Sequence, residues 1–181
     1  CLEHLAHDRE HAALVEQRAG DHRAQRCTDR ALRRHPQLAA VELADIENTD
    51  EFENEAVQAR ILTALKTVKA NNPGLKTIVT FGTSTTGPTY YGNRLIEQAQ
   101  SLNANIDVFT IMPFDFGGGA DMYGSTVSAA NGLKNKLKST FGWDDATAYA
   151  HVGISGMNGL SDNQETTTPT TWTSIRDWAN T

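Results

Sequence analysis

Residues 106–116 read IDVFTIMPFDF, a nearly continuous apolar run that ends in an aspartate and a phenylalanine and leads into three glycines. A run of this kind, rich in β-branched and aromatic residues, is typical of a strand buried on both faces of a sheet. Strands of that type belong to parallel sheets, whose faces are covered by helices. The run therefore favours an α/β fold.

The segments around this run alternate between strand and helix patterns. Three further strands are predicted, from a short apolar stretch that closes at Asp45 and Glu47 and from residues 76–82 (KTIVTFG) and 148–154. Helices are predicted where apolar residues recur at three- and four-residue spacing, in residues 50–71, 91–102, 125–141 and 170–179. Four strand–helix repeats predict a parallel sheet with crossover helices. Periodicity alone does not separate a closed barrel from a doubly wound open sheet.

The first 43 residues differ in composition from the rest of the chain. Five of the six histidines precede residue 36, whereas the first lysine is Lys66 and the first aromatic residue is Phe52. Three interpretations compete: a solvated extension that is loosely helical or disordered, a translation in the wrong reading frame that ends near residue 44, and a metal site at His7 and His11. We place the boundary after residue 43, leave residues 1–43 unassigned and treat residues 44–181 as the domain.

Composition also excludes several classes of function. The net charge of −6 and the isoelectric point near 5.5 argue against a nucleic-acid partner, which needs a basic surface. No apolar run approaches the roughly 18 residues of a membrane span. Two cysteines are too few for a disulfide framework, and no CxxC or paired His/Cys cluster suggests zinc.

Three acidic residues follow the predicted strands. In a parallel barrel the active site lies at the carboxyl ends of the strands, so Asp45, Glu47 and Asp115 would share one mouth. Asp45 and Glu47 are two residues apart on a strand and so point to the same side. Two neighbouring carboxylates do not easily both ionise, and the raised pKa of one suits a general acid near neutral pH.

Three stretches resemble glycoside hydrolase family 18 chitinases. Residues 45–47 (DIE) resemble the end of the D-x-x-D-x-D-x-E signature that closes barrel strand four. Residues 111–117 (IMPFDFG) resemble the strand-six M-x-x-D element of a bacterial D-type-like subgroup, and residues 152–165 (VGISGMNGLSDNQE) resemble its strand seven and loop. A complete barrel needs about 250 residues. The resemblance therefore implies an incomplete (β/α)8 TIM barrel over residues 44–181, about strands 4 to 7 with their helices.

The resemblance also implies an activity. It is that of a chitinase-like glycoside hydrolase that cleaves β-1,4-linked N-acetylglucosamine with retention, using the substrate's own acetamido group as nucleophile. Glu47 would protonate the leaving oxygen, Asp45 would stabilise the oxazolinium ion, and Asp115 would hold the acetamide. Met112 would line the floor of the −1 site, and Asn158 would contact sugar. The implied partner is chitin or a chitooligosaccharide, and the implied protein is secreted, cofactor-free and monomeric when complete.

The chain departs from the family pattern at several positions. The signature has aspartate where this chain has Ala40 and Leu43, and many members have tyrosine in place of Phe114. Two alternatives follow: a non-catalytic family 18 protein that binds chitin oligosaccharides, with its acidic signature degraded, and an endo-β-N-acetylglucosaminidase acting on glycoprotein glycans. Since a partial barrel leaves strand edges and core uncovered, we expect the isolated chain to be inactive and to aggregate unless a partner completes it.

Overall fold

Residues 41–118 and 121–181 are described in the computed structural model of the chain. Their strands are β1 (Val41–Ile46), β2 (Lys76–Ser84), β3 (Gly87–Pro88), β4 (Val108–Met112), β5 (Val152–Ile154), β6 (Gly159–Leu160) and β7 (Thr166–Thr167). Their helices are α1 (Thr49–Phe52), α2 (Glu55–Asn71), α3 (Tyr90–Ser101), α4 (Met122–Phe141), α5 (Asp145–Ala150) and α6 (Pro169–Ala179). The interpretations of residues 1–40, including the metal site at His7 and His11, lie outside the described residues. Strand β1 includes Val41, three residues before the boundary placed at residue 44.

The main sheet has the order β1-β2-β4-β5, and β3 pairs with β2 as an antiparallel extension. Strands β2 and β4 are parallel, with the register running from Ile78 opposite Val108 to Gly82 opposite Met112. Strands β4 and β5 are also parallel. Helices lie between successive strands of this order along the chain, as crossover connections require. The predicted α/β fold with a parallel sheet is confirmed.

One face of the sheet packs against the helices and forms the core. Val79 and Phe81 of β2 and Phe109 and Ile111 of β4 are fully buried there. Helix residues of the same cluster contact them, namely Leu62, Leu65, Leu95, Ile96, Ala129, Ala130, Leu133 and Leu137. The apolar stripes that predicted the helices are therefore the surfaces that cover the sheet. Within the described residues, no helix has both the length and the apolarity to cross a bilayer.

The opposite face of the sheet carries a different set of side chains, because successive residues of a strand point to alternate faces. We call it the inner face and define it by Asp45, Thr80, Gly82, Thr110, Met112 and Gly153. In a closed barrel this face would line the interior. Any site at the carboxyl edge of the sheet is therefore built from inner-face residues and from the loops that follow the strands.

Three predicted elements were wrong in their extent. The strand predicted over residues 106–116 covers only Val108–Met112, and the residues from Pro113 onward form a loop. The helix predicted over residues 50–71 is interrupted after Phe52, where the side chain of Asn54 accepts hydrogen bonds from the N–H groups of Ala56 and Val57 and starts α2 anew. The strand predicted over residues 148–154 begins only at Val152. The residues before it form α5, which Asp144 caps by accepting the Thr147 N–H at 2.7 Å.

Three short strands were not predicted at all. Strands β3, β6 and β7 contain two residues each, too few to show a periodic pattern. Strands β6 and β7 form an antiparallel ribbon, with Gly159 opposite Thr167. Its turn, residues 161–165, faces the loop that follows β4 and shapes the site described next.

Candidate active site

Asp45 and Glu47 lie at the carboxyl end of β1, as predicted from their spacing. Ile46 between them is fully buried in the core, so both carboxylates extend from the inner-face side. Both residues are exposed. Partial shielding of its carboxylate from water, and then the negative charge of Glu47, raise the pKa of Asp45 above its usual value. The structure thus brings these two acids together, and the raised pKa belongs to Asp45, the residue predicted to stabilise the oxazolinium ion.

Met112 lies on the same face, across β2 from Asp45. It is the last residue of β4, is buried with 9% of its surface exposed, and stands opposite Gly82 of β2. Strands β1 and β4 are separated by one strand, roughly 10 Å at ordinary strand spacing. Gly82 has no side chain to fill that interval, and no atom beyond its chain neighbours lies within 4 Å of where its Cβ would be. The space above Gly82, which we call the depression, is therefore open on this face between β1 and β4.

Asp115 lies in the loop after β4, at the carboxyl edge of the sheet. We call residues 113–118 the Asp115 loop. The backbone of Asp115 is left-handed, with φ of 58°. Its Oδ1 accepts the backbone N–H of Asn163 at 3.0 Å, and its carbonyl oxygen accepts the Asn163 side-chain amide at 3.0 Å. Among the described residues, no hydrogen-bond donor is assigned to its Oδ2, which leaves that oxygen to meet a ligand.

Glu165, for which the sequence predicted no role, holds the Asp115 loop by accepting hydrogen bonds from its backbone. Its Oε1 accepts the N–H of Gly118 at 2.7 Å, and its Oε2 accepts the N–H of Asp115 at 3.1 Å and the hydroxyl of Ser161. Only 3% of Glu165 is exposed. The Ser161 hydroxyl, followed by the Gly118 N–H, keeps the pKa of Glu165 below its usual value. Acidic side chains are rarely this buried, and nothing in residues 161–165 alone signals it.

Asn158 is placed less favourably than the acids. Its side chain is exposed, and it lies in the bend between β5 and β6. Before it, Gly156 packs so closely under Trp172 of α6 that an added Cβ would approach the indole to 2.1 Å. Trp172 and Trp178 thus act in packing, and Trp178 lies against the core cluster. Asn158 remains a candidate sugar contact only by its position at the carboxyl edge.

The side chains at this edge of the sheet are mainly carboxylates and one thioether. Within the described residues, no three His, Cys, Asp or Glu side chains are grouped so that they could hold a metal ion. The carboxyl edge of the sheet carries a pair of interacting carboxylates at the end of β1, a thioether at the end of β4 and a third carboxylate on the tethered loop that follows β4. Such a set can donate a proton, stabilise a positive charge and accept an amide N–H.

The fold and this edge define an α/β protein built as part of a (β/α)8 barrel, with acidic residues at the carboxyl ends of its strands. No protein-family model and no curated protein sequence matches the chain. Solved structures do match. One is that of catalytic-site mutants of active domain 2 of a thermostable chitinase from Pyrococcus furiosus complexed with chito-oligosaccharides, with a TM-score of 0.69 and 17% identity over 91% of this chain and 52% of that chain.

A second match is the catalytic domain of a hyperthermophilic chitinase from Pyrococcus furiosus, with a TM-score of 0.67 and 17% identity over 91% of this chain and 52% of that one. The chain thus spans about half the length of the solved structures it matches. At this level of identity the likeness establishes the fold: the chain folds as part of a chitinase-like TIM barrel.

Proposed function

We propose that this chain is part of the catalytic barrel of a chitinase-like glycoside hydrolase of family 18, in the bacterial D-type-like subgroup. The observation that carries the proposal is the pair Asp45 and Glu47 at the carboxyl end of β1, with the pKa of Asp45 raised by partial burial and by Glu47. It stands in a fold shared with chitinase catalytic domains. The substrate would be chitin or a chitooligosaccharide. Secretion belongs to the same proposal, since an insoluble polymer is met outside the cell.

In the proposed reaction Glu47 is the general acid that protonates the leaving glycosidic oxygen. The acetamido carbonyl of the −1 sugar attacks its own anomeric carbon, which breaks the glycosidic bond and retains a substrate-derived oxazolinium ion. Asp45 accepts the acetamide N–H and stabilises the positive charge. Glu47, now ionised, then takes a proton from the water that opens the ion, and this restores the free acid.

The remaining residues hold the sugar. Met112 lies across the depression above Gly82 and offers an apolar surface to the pyranose ring. Asp115 follows β4, and only β2 separates β4 from β1 in the sheet, so we place Asp115 beside the same sugar as Asp45. The Oδ2 of Asp115 accepts the acetamide N–H as a second acceptor beside Asp45, while Oδ1 stays bound to the Asn163 N–H.

The incomplete barrel is supported by the surface beside β5. A cleft of about 400 Å³ there is lined in part by three half-buried apolar residues, Val152 and Ile154 of β5, the last strand of the sheet order, and Trp178 of α6. In a closed barrel the next strand and helix would cover such a surface. Activity is therefore proposed for the completed barrel, in which the chain works with the segments that close it.

The test measures hydrolysis of a chromogenic chitotrioside by the full chain, alone and mixed with a polypeptide that supplies the unmatched half of a structural neighbour. Hydrolysis in the mixture that is abolished in Glu47→Gln supports the proposal. Circular dichroism of both samples establishes that the chain is folded. A folded chain that neither hydrolyses the trioside nor binds chitotriose in either arm would overturn it.

A second candidate function, non-catalytic binding of chitin oligosaccharides, is favoured by one observation. Leu43, where the family signature has an acid, lies two residues before Asp45 on the same side of β1 and is 44% exposed. Asp45 thus lacks the acidic neighbour expected on that side. Chitotriose binding without hydrolysis in the wild type, together with hydrolysis by Leu43→Asp, would select this function over the first.

A further inference from the structure

Glu165 is a buried carboxylate that the proposed reaction does not use. A buried charge is costly unless hydrogen bonds replace its lost water, and here every donor comes from one of two loops. The N–H groups of Asp115 and Gly118 belong to the Asp115 loop, and the hydroxyl of Ser161 belongs to the β6–β7 turn. The carboxylate therefore joins the loops that follow two neighbouring strands.

The Asp115 loop requires such support because its backbone is unusual. Asp115, Gly117 and Gly118 have φ values of 58°, 103° and 87°. A non-glycine residue in the left-handed region costs free energy, and the two glycines add conformational freedom that must be lost. Hydrogen bonds from two N–H groups to one carboxylate select a single arrangement of the loop out of many.

The β6–β7 turn is itself fixed around Glu165. The N–H of Ser161 donates to the carbonyl oxygen of Glu165 at 2.8 Å, and the N–H of Glu165 donates to the Ser161 hydroxyl at 3.2 Å. The same turn reaches Asp115 a second time, since the Asn163 N–H donates to its Oδ1 at 3.0 Å. Asp115 is thus hydrogen-bonded through its backbone N–H to Glu165 and through its carboxylate to the backbone of Asn163.

We propose that Glu165 is a positioning residue for the sugar site: it holds the Asp115 loop so that Oδ2 of Asp115 faces the mouth of the sheet. The inference rests on the proposed function for the role of Asp115 toward sugar, but the holding of the loop does not depend on it. Two side-chain features are required. The acceptor must be ionised, because all three groups that point at it are donors, and it must be as long as glutamate to span both loops.

The experiment compares the full wild-type chain with Glu165→Gln by hydrogen exchange of residues 113–118 and by chitotriose affinity. Glutamine places an NH₂ group against the N–H of either Asp115 or Gly118, so exchange of the loop amides is expected to rise roughly tenfold or more. The chitotriose Kd is expected to rise by about the same factor. Asp162→Asn, which removes an exposed carboxylate from the same turn, should change neither quantity.

A general loss of stability is separated from positioning by Asp107→Asn. This variant weakens the fold at the amino end of β4, away from the mouth, and should leave the chitotriose Kd unchanged. If Glu165→Gln does not fold, Ser161→Ala serves instead, because it removes one donor and keeps the carboxylate. A smaller rise of both quantities, about threefold, is then expected.

The outcomes separate the two claims. Unchanged loop exchange in both Glu165→Gln and Ser161→Ala overturns the holding of the loop. Faster loop exchange with an unchanged chitotriose Kd overturns positioning for sugar. Faster loop exchange in a chain whose wild type does not bind chitotriose confirms the holding of the loop and counts against the proposed function alone.

Discussion

The backbone N–H of Asp115 lies 3.1 Å from Oε2 of Glu165, although 50 residues separate them in sequence. This bond joins the loop after β4 to the turn beyond β5, and the return bond from Asn163 to Oδ1 of Asp115 closes the link. The rim above the carboxyl ends of β4 and β5 is therefore one connected structure. By contrast, Asp45 lies on strand β1 itself and Glu47 directly follows the last residue of that strand.

Replacing Glu47 by glutamine should remove catalysis while leaving sugar binding intact. Glutamine cannot give up a proton to the glycosidic oxygen, and general acid catalysis contributes about 10²- to 10⁴-fold in rate. We expect kcat on a chromogenic chitotrioside to fall by that factor in the completed barrel, with the chitotriose Kd changed less than about twofold. Glu53→Gln, an exposed acid at the end of α1, is the matched control and should keep full activity. Equal kcat in Glu47→Gln and wild type would contradict the assignment.

Introducing aspartate at Leu43 should raise the activity of the completed barrel. The new carboxylate would lie on the side of β1 that carries Asp45, two residues away, and a like charge there raises the pKa of Asp45 further. Because the proposed reaction uses Asp45 as a carboxylate, activity is lost as the pH falls and Asp45 is protonated, and the midpoint of that loss should move to higher pH. Val41→Asp adds the same charge to the same side of the strand, two residues further from Asp45, and should have a smaller effect. A larger gain from Val41→Asp than from Leu43→Asp would argue against the degraded signature.

The sequence was informative where local spacing decides the structure. The alternation of residues along β1 placed Asp45 and Glu47 together, and the apolar run 106–116 marked the central strand β4. The sequence was uninformative where contacts between segments far apart in the chain determine the structure. Glu165 is buried because two loops far apart in sequence meet around it, and no spacing within residues 161–165 encodes that meeting. Helix α5 was missed because the strand pattern was extended backward across a stretch that Asp144 caps as a helix.

Acid should weaken the fold through Asp107, which lies just before β4. Burial alone would raise the pKa of Asp107, but hydrogen bonds from Lys69, from the Thr77 N–H and from Lys76 outweigh it and lower the pKa to about 2. Because the folded value lies below the unfolded value of 3.8, the stabilisation is present above pH 3.8 and is lost as the pH falls through about 2. The difference corresponds to about 2 kcal/mol.

The check is urea unfolding of wild type and Asp107→Asn between about pH 6, where Asp107 is ionised in both states, and about pH 2, near the folded pKa. The variant should be less stable by about 2 kcal/mol at pH 6, and the two curves should converge toward pH 2. Asp177→Asn removes an exposed carboxylate that pairs with Arg176, and it should change stability by less than about 0.5 kcal/mol throughout. A gap that stays constant from pH 6 to pH 2 would contradict the titration of Asp107.

Alanine at Gly153 should destabilise the sheet, whereas alanine at Gly82 should not. Both glycines lie on the inner face, but a Cβ at Gly153 would come within 2.3 Å of the Thr110 hydroxyl and 3.0 Å of Val108, while a Cβ at Gly82 would meet no atom within 4 Å. Overpacking of this kind costs about 1–3 kcal/mol, and a strain-free exchange of glycine for alanine gains about 0.4–1 kcal/mol. Urea unfolding followed by tryptophan fluorescence measures both. Adding Thr110→Ala to Gly153→Ala should recover part of the loss, because it removes the nearer clashing atom. Equal stability of the two single variants would show that the inner face of β5 is not packed as described.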